Sequence, residues 1–399
     1  MITRIKIENY KSIEEVTLDL KGMNAFIGKN GAGKTTFISI FNLLKHLASG
    51  DKLEHAVEYI APLGFDLFNF NRTSNSAKLR ITVQAETNLY ELAFTISYND
   101  LRGRSFVISE ESLTKLGGDR GQLIYRRNNE SGTLEVSHGD TIAGLPLKIE
   151  GNKLALSSYS NEDARIVAET LSTYTIIWLD SVHRDSEGYS FVRGDNPNLN
   201  TIDGVAVDLY KRDPDRFKEA ISAIKKIIPD LVEPRIVSLD EAFRDNRVAA
   251  NIKANNEKKI DNYAVTWSDN TYSRNITRLS LSGGNARVIY LILSLFNTRT
   301  KSCFVAEEIE NGLHTSRIGK LIDELRTIVK INKIQLIFTT HNYQILDKLL
   351  PDEVVFCQLG NKGSTYKRVN ETKEYQLIKE QLGSEPTSSD VVNSGLLYD

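Results

Sequence analysis

Residues 27–36, IGKNGAGKTT, constrain this chain more than any other stretch. The spacing Gly28-x4-Gly33-Lys34-Thr35 is that of a loop whose backbone N–H groups converge on a phosphate at the positive end of the next helix. Such a loop works only between a strand and a helix. Residues 24–27 supply a short apolar strand. The run TTFISIFNLLKHLA then places Phe37, Ile40, Phe41, Leu44 and Leu47 at helical spacing. The fold class follows as α/β. Asn30, Gly31, Gly33, Lys34, Thr35 and Thr36 are the candidate nucleotide contacts. Lys34 is placed to reach the β- and γ-phosphates, and the Thr35 hydroxyl to ligate Mg²⁺. The loop alone does not distinguish a kinase, a switch, a motor or a machine built by two copies.

Around the loop the periodicity changes several times. ITRIKIENY and EEVTLDL alternate as strands, so residues 1–76 read as an N-terminal lobe. Residues 77–155 hold short alternating runs (KLRITVQAE, LYELAFTISY, GQLIYRRN) split by turn-rich breaks, which predicts an antiparallel insert. Residues 156–270 read as a mostly helical subdomain. In it Asp213-Pro214 starts a helix with Phe217, Ala220, Ile221, Ile224 and Ile228 on its apolar face. Residues 271–383 alternate strand and helix in a parallel-sheet rhythm, and residues 384–399 read as a loose tail.

Fifty basic residues face fifty-two acidic ones, so no overall field advertises nucleic acid. Cys303 and Cys357 stand far apart with no CxxC pair, which argues against a structural zinc site or a disulfide framework and fits a reducing compartment. No run approaches the ~20 apolar residues of a membrane helix, and the start lacks a signal peptide's apolar block. A cytoplasmic, membrane-free protein is expected.

The far end of the chain narrows the class. In LSLSGGNARVIYLILSLF, Ser282, Gly283 and Gly284 open an apolar helix, a second terminus able to meet an anion. An ordinary serine cap would look the same. CFVAEEIENGLH ends an apolar strand in two carboxylates: Glu307 suits Mg²⁺ through water, and Glu308 suits polarising an attacking water. Acids after a strand also commonly cap the next helix. LIFTTHN ends a strand at His341, suited to a γ-phosphate and equally common as a structural histidine. Asn311, Gly312, Leu313 and His314 form a turn after the acids. Two phosphate cradles exceed the needs of one nucleotide in one chain, but suit two chains that each present one cradle to the other's nucleotide.

The ordered set resembles the ABC-type ATPase heads of the SMC, RecF and OLD (overcoming lysogenization defect) group. IKIENYKSI and NAFIGKNGAGKTT resemble that group's opening, and EEIENGLH with IFTTHN resembles its stand-alone bacterial AAA-type branch, frequent in phage-defence operons. The likeness covers residues 1–50 and 200–350 well and the rest loosely. It implies an ABC-type head without a long coiled coil, ATP and Mg²⁺ as ligands, and a homodimer or higher oligomer built on ATP sandwiches. Carried over, Lys34 and Thr35 are the Walker A residues, Ser282, Gly283 and Gly284 the signature presented in trans, and Glu308 the catalytic carboxylate. His341 is the switch histidine, His314 takes the D-loop aspartate position, and Lys11 lies near the nucleotide.

Two departures stand out. Glu307 occupies a usual aspartate position, moving the carboxylate by roughly 1.5 Å on ordinary bond lengths. The Q-loop has no clear place, since Gln84 reads as mid-strand. Heptad arms are missing, and the 58 residues after His341 are few for a TOPRIM domain. The expectation is therefore an ATPase that senses, scaffolds or regulates a separate effector, a nuclease or toxin, in antiviral defence. Two alternatives stand: a RecF-like DNA-binding ATPase using Arg126, Arg127, Lys253, Lys258 and Lys259, and a nucleotide-locked scaffold with little turnover.

Overall fold

A computed structural model of the chain describes residues 1–58, 60, 75–98, 106–117, 121–128, 133–138, 141–145, 149–179, 191–193, 197–238, 262–269, 272–276 and 282–395. Its contacts group residues 1–176, 301–305 and 334–399 into one compact unit, and residues 177–300 and 306–333 into a second.

The first unit opens with β1 (Ile2–Tyr10), β2 (Ile13–Asp19) and β3 (Met23–Ile27), followed by α1 (Lys34–Ala48) and α2 (Leu53–Glu58). Next come β4 (Ser76–Ala85), β5 (Asn88–Tyr98), β6 (Phe106–Leu116), β7 (Gln122–Asn128), β8 (Thr133–His138) and β9 (Thr141–Leu145). Then α3 (Glu162–Ser172) leads to β10 (Thr175–Trp178). Strands β4–β9 do not form a sheet of their own. β4 pairs antiparallel with β1 (Ile5 opposite Ile81), giving one eight-stranded sheet in the order β2-β1-β4-β5-β6-β7-β8-β9. Alternation along β4 buries Ala77, Leu79, Ile81 and Val83. The apolar side chains of α1, all five of the sequence-predicted ones included, pack with that buried face in one core.

The second unit holds β11 (Phe191–Arg193), α4 (Ile202–Arg212), α5 (Pro214–Ile227), β12 (Leu231–Ser238), β13 (Asn262–Asp269), β14 (Tyr272–Ile276) and α6 (Gly283–Asn297). α5 starts as its sequence dictates: Asp213 accepts from the Arg216 N–H at 3.1 Å, with Pro214 in the first turn. Besides α3, α4 and α5, the described part of residues 156–270 holds strands that the sequence did not announce. β13 pairs with β11, β12 and β14, and its Trp267, fully buried, donates to Asp203 of α4 at 3.3 Å. Pro234 inside LVEPRIVS disguises β12. The register shift between Val232 and Arg235 is the irregularity that lets a residue with no N–H sit in a strand.

The chain continues through β15 (Cys303–Glu307), α7 (Thr315–Asn332), β16 (Gln335–Thr340), β17 (Val354–Gly360), β18 (Gly363–Arg368), α8 (Lys373–Leu382) and α9 (Ser388–Asn393). In the first unit's second sheet the order is β10-β15-β16-β3-β17-β18, with β16 and β17 parallel to β3 and β18 antiparallel to β17. Every residue of β3 and β16 is buried, the signature of a strand covered on both faces.

The tail is not loose as far as it is described. Thr387 and Asp390 form a capping box, Val391 and Val392 are buried, and Ser388 donates to the Leu349 carbonyl at 2.7 Å. α7, the longest described helix, has 18 residues, so the described residues hold no long coiled coil. No described helix is long and apolar enough to cross a membrane.

Candidate nucleotide-binding site

In the first unit, strand register places the loop. Thr340 of β16 and Phe356 of β17 both stand level with Ile27, so His341 and Cys357 flank the chain where it leaves β3 at Gly28. A Cβ on Gly28 would lie 2.2 Å from the Cys357 carbonyl oxygen, so only glycine lets the loop start there. Gly33 has φ +99°, and a Cβ there would meet Ser364 Oγ at 2.3 Å. Between them Lys34 is buried, with Nζ donating to the Gly28 and Lys29 carbonyls at 2.8 and 3.0 Å. α1 is capped by a glycine with no side chain, and its first turn carries no acid. Its leading N–H groups are therefore left to an anion. Asn30, Gly31 and Thr35 are exposed around this point, Thr36 half-buried. The geometry suits a triphosphate: a helix start without a side-chain cap, a glycine cradle and a buried ammonium.

Three residues invisible to sequence reading support the loop. The Tyr366 hydroxyl donates to the Gly33 carbonyl at 2.8 Å, and its ring packs 5.2 Å from Phe37, which stacks on Phe26 at 4.5 Å. Burial pushes the Tyr366 phenol well above its usual range, so it stays a donor. Ser364 donates to Ser12 at 2.7 Å, and Ser12 to Thr36 Oγ1 at 3.4 Å. The only signal was the hydroxyl-rich hairpin start Gly363-Ser364, more than 300 residues from the loop. Lys11, next to Ser12, adopts φ +48°; its Nζ donates to the Ile60 carbonyl at 2.6 Å and lies 5.9 Å from the Tyr10 ring centre. The structure thus brings the neighbour of Lys11 to the loop and holds the lysine head on Ile60. Burial raises the Cys303 thiol to about 12 and the Cys357 thiol further, so neither serves as a nucleophile. His341 is exposed, just after Thr340, whose hydroxyl accepts from the Asn342 N–H at 3.1 Å.

In the second unit, Ser282 caps α6 by accepting from the Asn285 N–H at 3.4 Å, and Ser282 and Gly283 are exposed. Gly284 is buried against the turn after the acids: a Cβ on it would lie 2.1 Å from the Gly312 carbonyl oxygen. Arg317 of α7 donates to Asn285 Oδ1 at 2.5 Å, adding a second tie between the two helix starts. His314, placed by resemblance at the D-loop position, is the N-cap of α7, where its ring accepts from the Ser316 N–H at 3.3 Å. Glu307 ends β15. Glu308 follows in the left-handed region at φ +47°, its carboxylate held by the Asn311 amide and its carbonyl accepting from the Asn311 N–H at 3.1 Å. A left-handed glutamate is strained, and here the turn holds it. The Thr35 hydroxyl and the Glu307 carboxylate are oxygen donors, the chemistry a hard cation such as Mg²⁺ requires.

The DNA-contact expectation does not survive at Arg127. Its guanidinium is spent on the Lys153 and Glu150 carbonyls at 2.9 and 3.0 Å and lies 3.8 Å from the buried Glu111. Arg126 is exposed. Lys253, Lys258 and Lys259 lie outside the described residues.

The family described as "AAA domain, putative AbiEii toxin, Type IV TA system" matches residues 23–347. Among curated proteins nothing matches the chain. Among solved structures, the SMC head crystallised with the C-terminal winged-helix domain of ScpA is 14% identical, with a TM-score of 0.53 over 92% of this chain and 96% of that one. The SMC head domain from Thermotoga maritima is also 14% identical, with a TM-score of 0.48 over 92% and 98%. The chain has the α/β fold of an SMC-type, ABC-like ATPase head.

Proposed function

We propose, from the premise that the chain belongs to this AAA-domain family, that it binds and hydrolyses ATP as a dimer closed around the nucleotide. In the same reading it controls a separate effector protein in bacterial antiviral defence. The observation that carries the reading is the presence, in one chain, of a phosphate-type glycine loop leading an uncapped helix and of a second glycine-led helix whose serine cap is exposed. One is α1 behind Gly33; the other is α6 behind the exposed Ser282. Lys34 and the loop N–H groups hold the β- and γ-phosphates. Thr35 and Glu307 would hold Mg²⁺, which would supply charge compensation at the transferring phosphoryl group. Glu308 orients and deprotonates the attacking water, and His341 hydrogen-bonds the γ-phosphate. Ser282 and Gly283 of a second copy close on that phosphate, so hydrolysis and dissociation are linked.

Support for a separate partner is by kinship: the similar SMC head was crystallised with a piece of another polypeptide, and the family description names a toxin–antitoxin system. Glu308→Gln tests the core of the reading. With ATP and Mg²⁺ this variant is expected at twice the 44.9 kDa chain mass by light scattering, with hydrolysis abolished. A variant that binds ATP and stays at the single-chain mass overturns the closure, hydrolysis as fast as an active wild type overturns the role of Glu308, and equally negligible rates in both leave only a nucleotide-locked scaffold. Purification alongside the products of neighbouring genes is expected to recover a second polypeptide. A chain that always purifies alone and acts alone overturns the effector role.

A further inference from the structure

Away from the nucleotide loop, at the far end of α1, three metal-ligating side chains meet. His46 lies in the last turn of α1, Asp51 just before α2, and His55 on α2. Their candidate ligand atoms all lie within 4.8 Å of one another. His46 Nδ1 is 2.7 Å and His55 Nδ1 3.8 Å from Asp51 Oδ2, and the two rings stand perpendicular with centres 6.0 Å apart. Four-coordinate zinc with ligand bonds near 2.0–2.1 Å has ligand atoms roughly 3.3 Å apart. The two measured edges bracket that value, and the third lies within 4.8 Å.

The backbone beneath is fixed. Asp51 N–H donates to the His46 carbonyl at 3.1 Å, and Gly50 makes the turn at φ +89°. The Leu53 N–H donates to the Asn152 carbonyl at 2.8 Å, and Leu53, Ala56 and Val57 are buried. The three side chains keep 26%, 38% and 52% of their surface, so water can supply a fourth ligand. Two imidazoles with one carboxylate select zinc-class ions over Mg²⁺ or Ca²⁺, which take oxygen donors. The expectation of no structural zinc site rests on Cys303 and Cys357 alone, and this cluster contains no cysteine.

We propose that His46, Asp51 and His55 form a binding site for a divalent cation of the zinc class, which fastens the end of α1 to α2. The ion takes the place of the His46–Asp51 hydrogen bond, with the imidazoles ligating as neutral rings and the carboxylate as an anion. The test uses the untagged full-length chain without nucleotide or Mg²⁺, titrated with Co²⁺. The expected result is one equivalent bound per chain, with the intense visible bands of a four-coordinate centre that Zn²⁺ bleaches. His55→Ala and Asp51→Asn should each weaken binding at least about tenfold, while His341→Ala should leave it unchanged. Zinc should raise the melting temperature of the wild type and not of the two variants. No bound cobalt, or binding by His55→Ala equal to wild type, overturns the site. His55 is half-exposed and its loss leaves the buried anchors of α2 in place, so that variant decides the matter should Asp51→Asn disturb the turn.

Discussion

Gly284→Ala separates two reasons for a glycine behind Ser282. One is access to a nucleotide; the other is the approach of Gly284 to Gly312. The added Cβ would sit 2.1 Å from a backbone oxygen, about 1.3 Å short of ordinary contact at 3.4 Å. Neither side yields easily. α6 is buried from Val288 to Phe296, and the Gly312 turn is held by the Leu313 N–H to the Glu310 carbonyl at 3.0 Å. Overpacking of this kind costs about 1–3 kcal/mol. With a urea dependence of about 1–3 kcal/mol per molar, the unfolding midpoint of the second unit should fall by about 1 M. The chain has two tryptophans, Trp178 and Trp267, so a Trp178→Phe background leaves the fully buried Trp267 as the reporter. An unchanged midpoint in Gly284→Ala, with ATP-dependent assembly lost, would refute the packing argument.

Three further outcomes follow from other contacts. Arg127→Ala should destabilise the first unit by about 3 kcal/mol, because it strips a buried charge partner from Glu111. Burial already raises the Glu111 carboxyl, and losing the guanidinium raises it further. A raised acid loses stability as pH climbs from its unfolded to its folded value. Wild type and variant share that loss up to the wild type's raised folded value, so the gap should widen only above it, toward neutrality; urea midpoints across pH check this. Tyr366→Phe keeps the ring packing and removes the bond to the Gly33 carbonyl. It should cost about 1 kcal/mol and weaken ATP binding several-fold, read by fluorescent-nucleotide titration. Thr387→Ala breaks the capping box of α9 and should cost that helix about 1 kcal/mol, seen as faster amide exchange at Val391 and Val392.

What the sequence made legible was local. The strand, glycine loop and helix of residues 24–47 lie within one short stretch, where periodicity, glycine and proline carry the information. The same holds for Asp213-Pro214 and the buried face of α5. Pairing over long separations was not legible. Alternation marks β4 as half-buried, yet nothing in it says that β4 pairs with β1. The supports of the loop fail for the same reason: Tyr366 and Ser364 come from the far end of the chain to touch Gly33 and Ser12. Pro234 hid β12 because a proline inside a strand is tolerated only at an edge or an irregularity, neither of which the sequence announces. The polar run after Gly383 read as a loose tail and hid both the Thr387–Asp390 cap and two buried valines. Gly284 was singled out by the family motif alone, and the structure gives that glycine a packing reason, close approach to the Gly312 backbone.

The most direct test of trans assembly is to mix two inactive chains, Lys34→Met and Ser282→Arg. Each alone should fail to hydrolyse ATP, one for want of the lysine and the other for want of a second helix start. In a mixed dimer one site receives an intact Lys34 from one chain and an intact Ser282 from the other. Random pairing of equal amounts then restores about a quarter of the wild-type rate, by the symmetry of a two-site dimer. A mixture no more active than its separate components would contradict an ATP held between two copies.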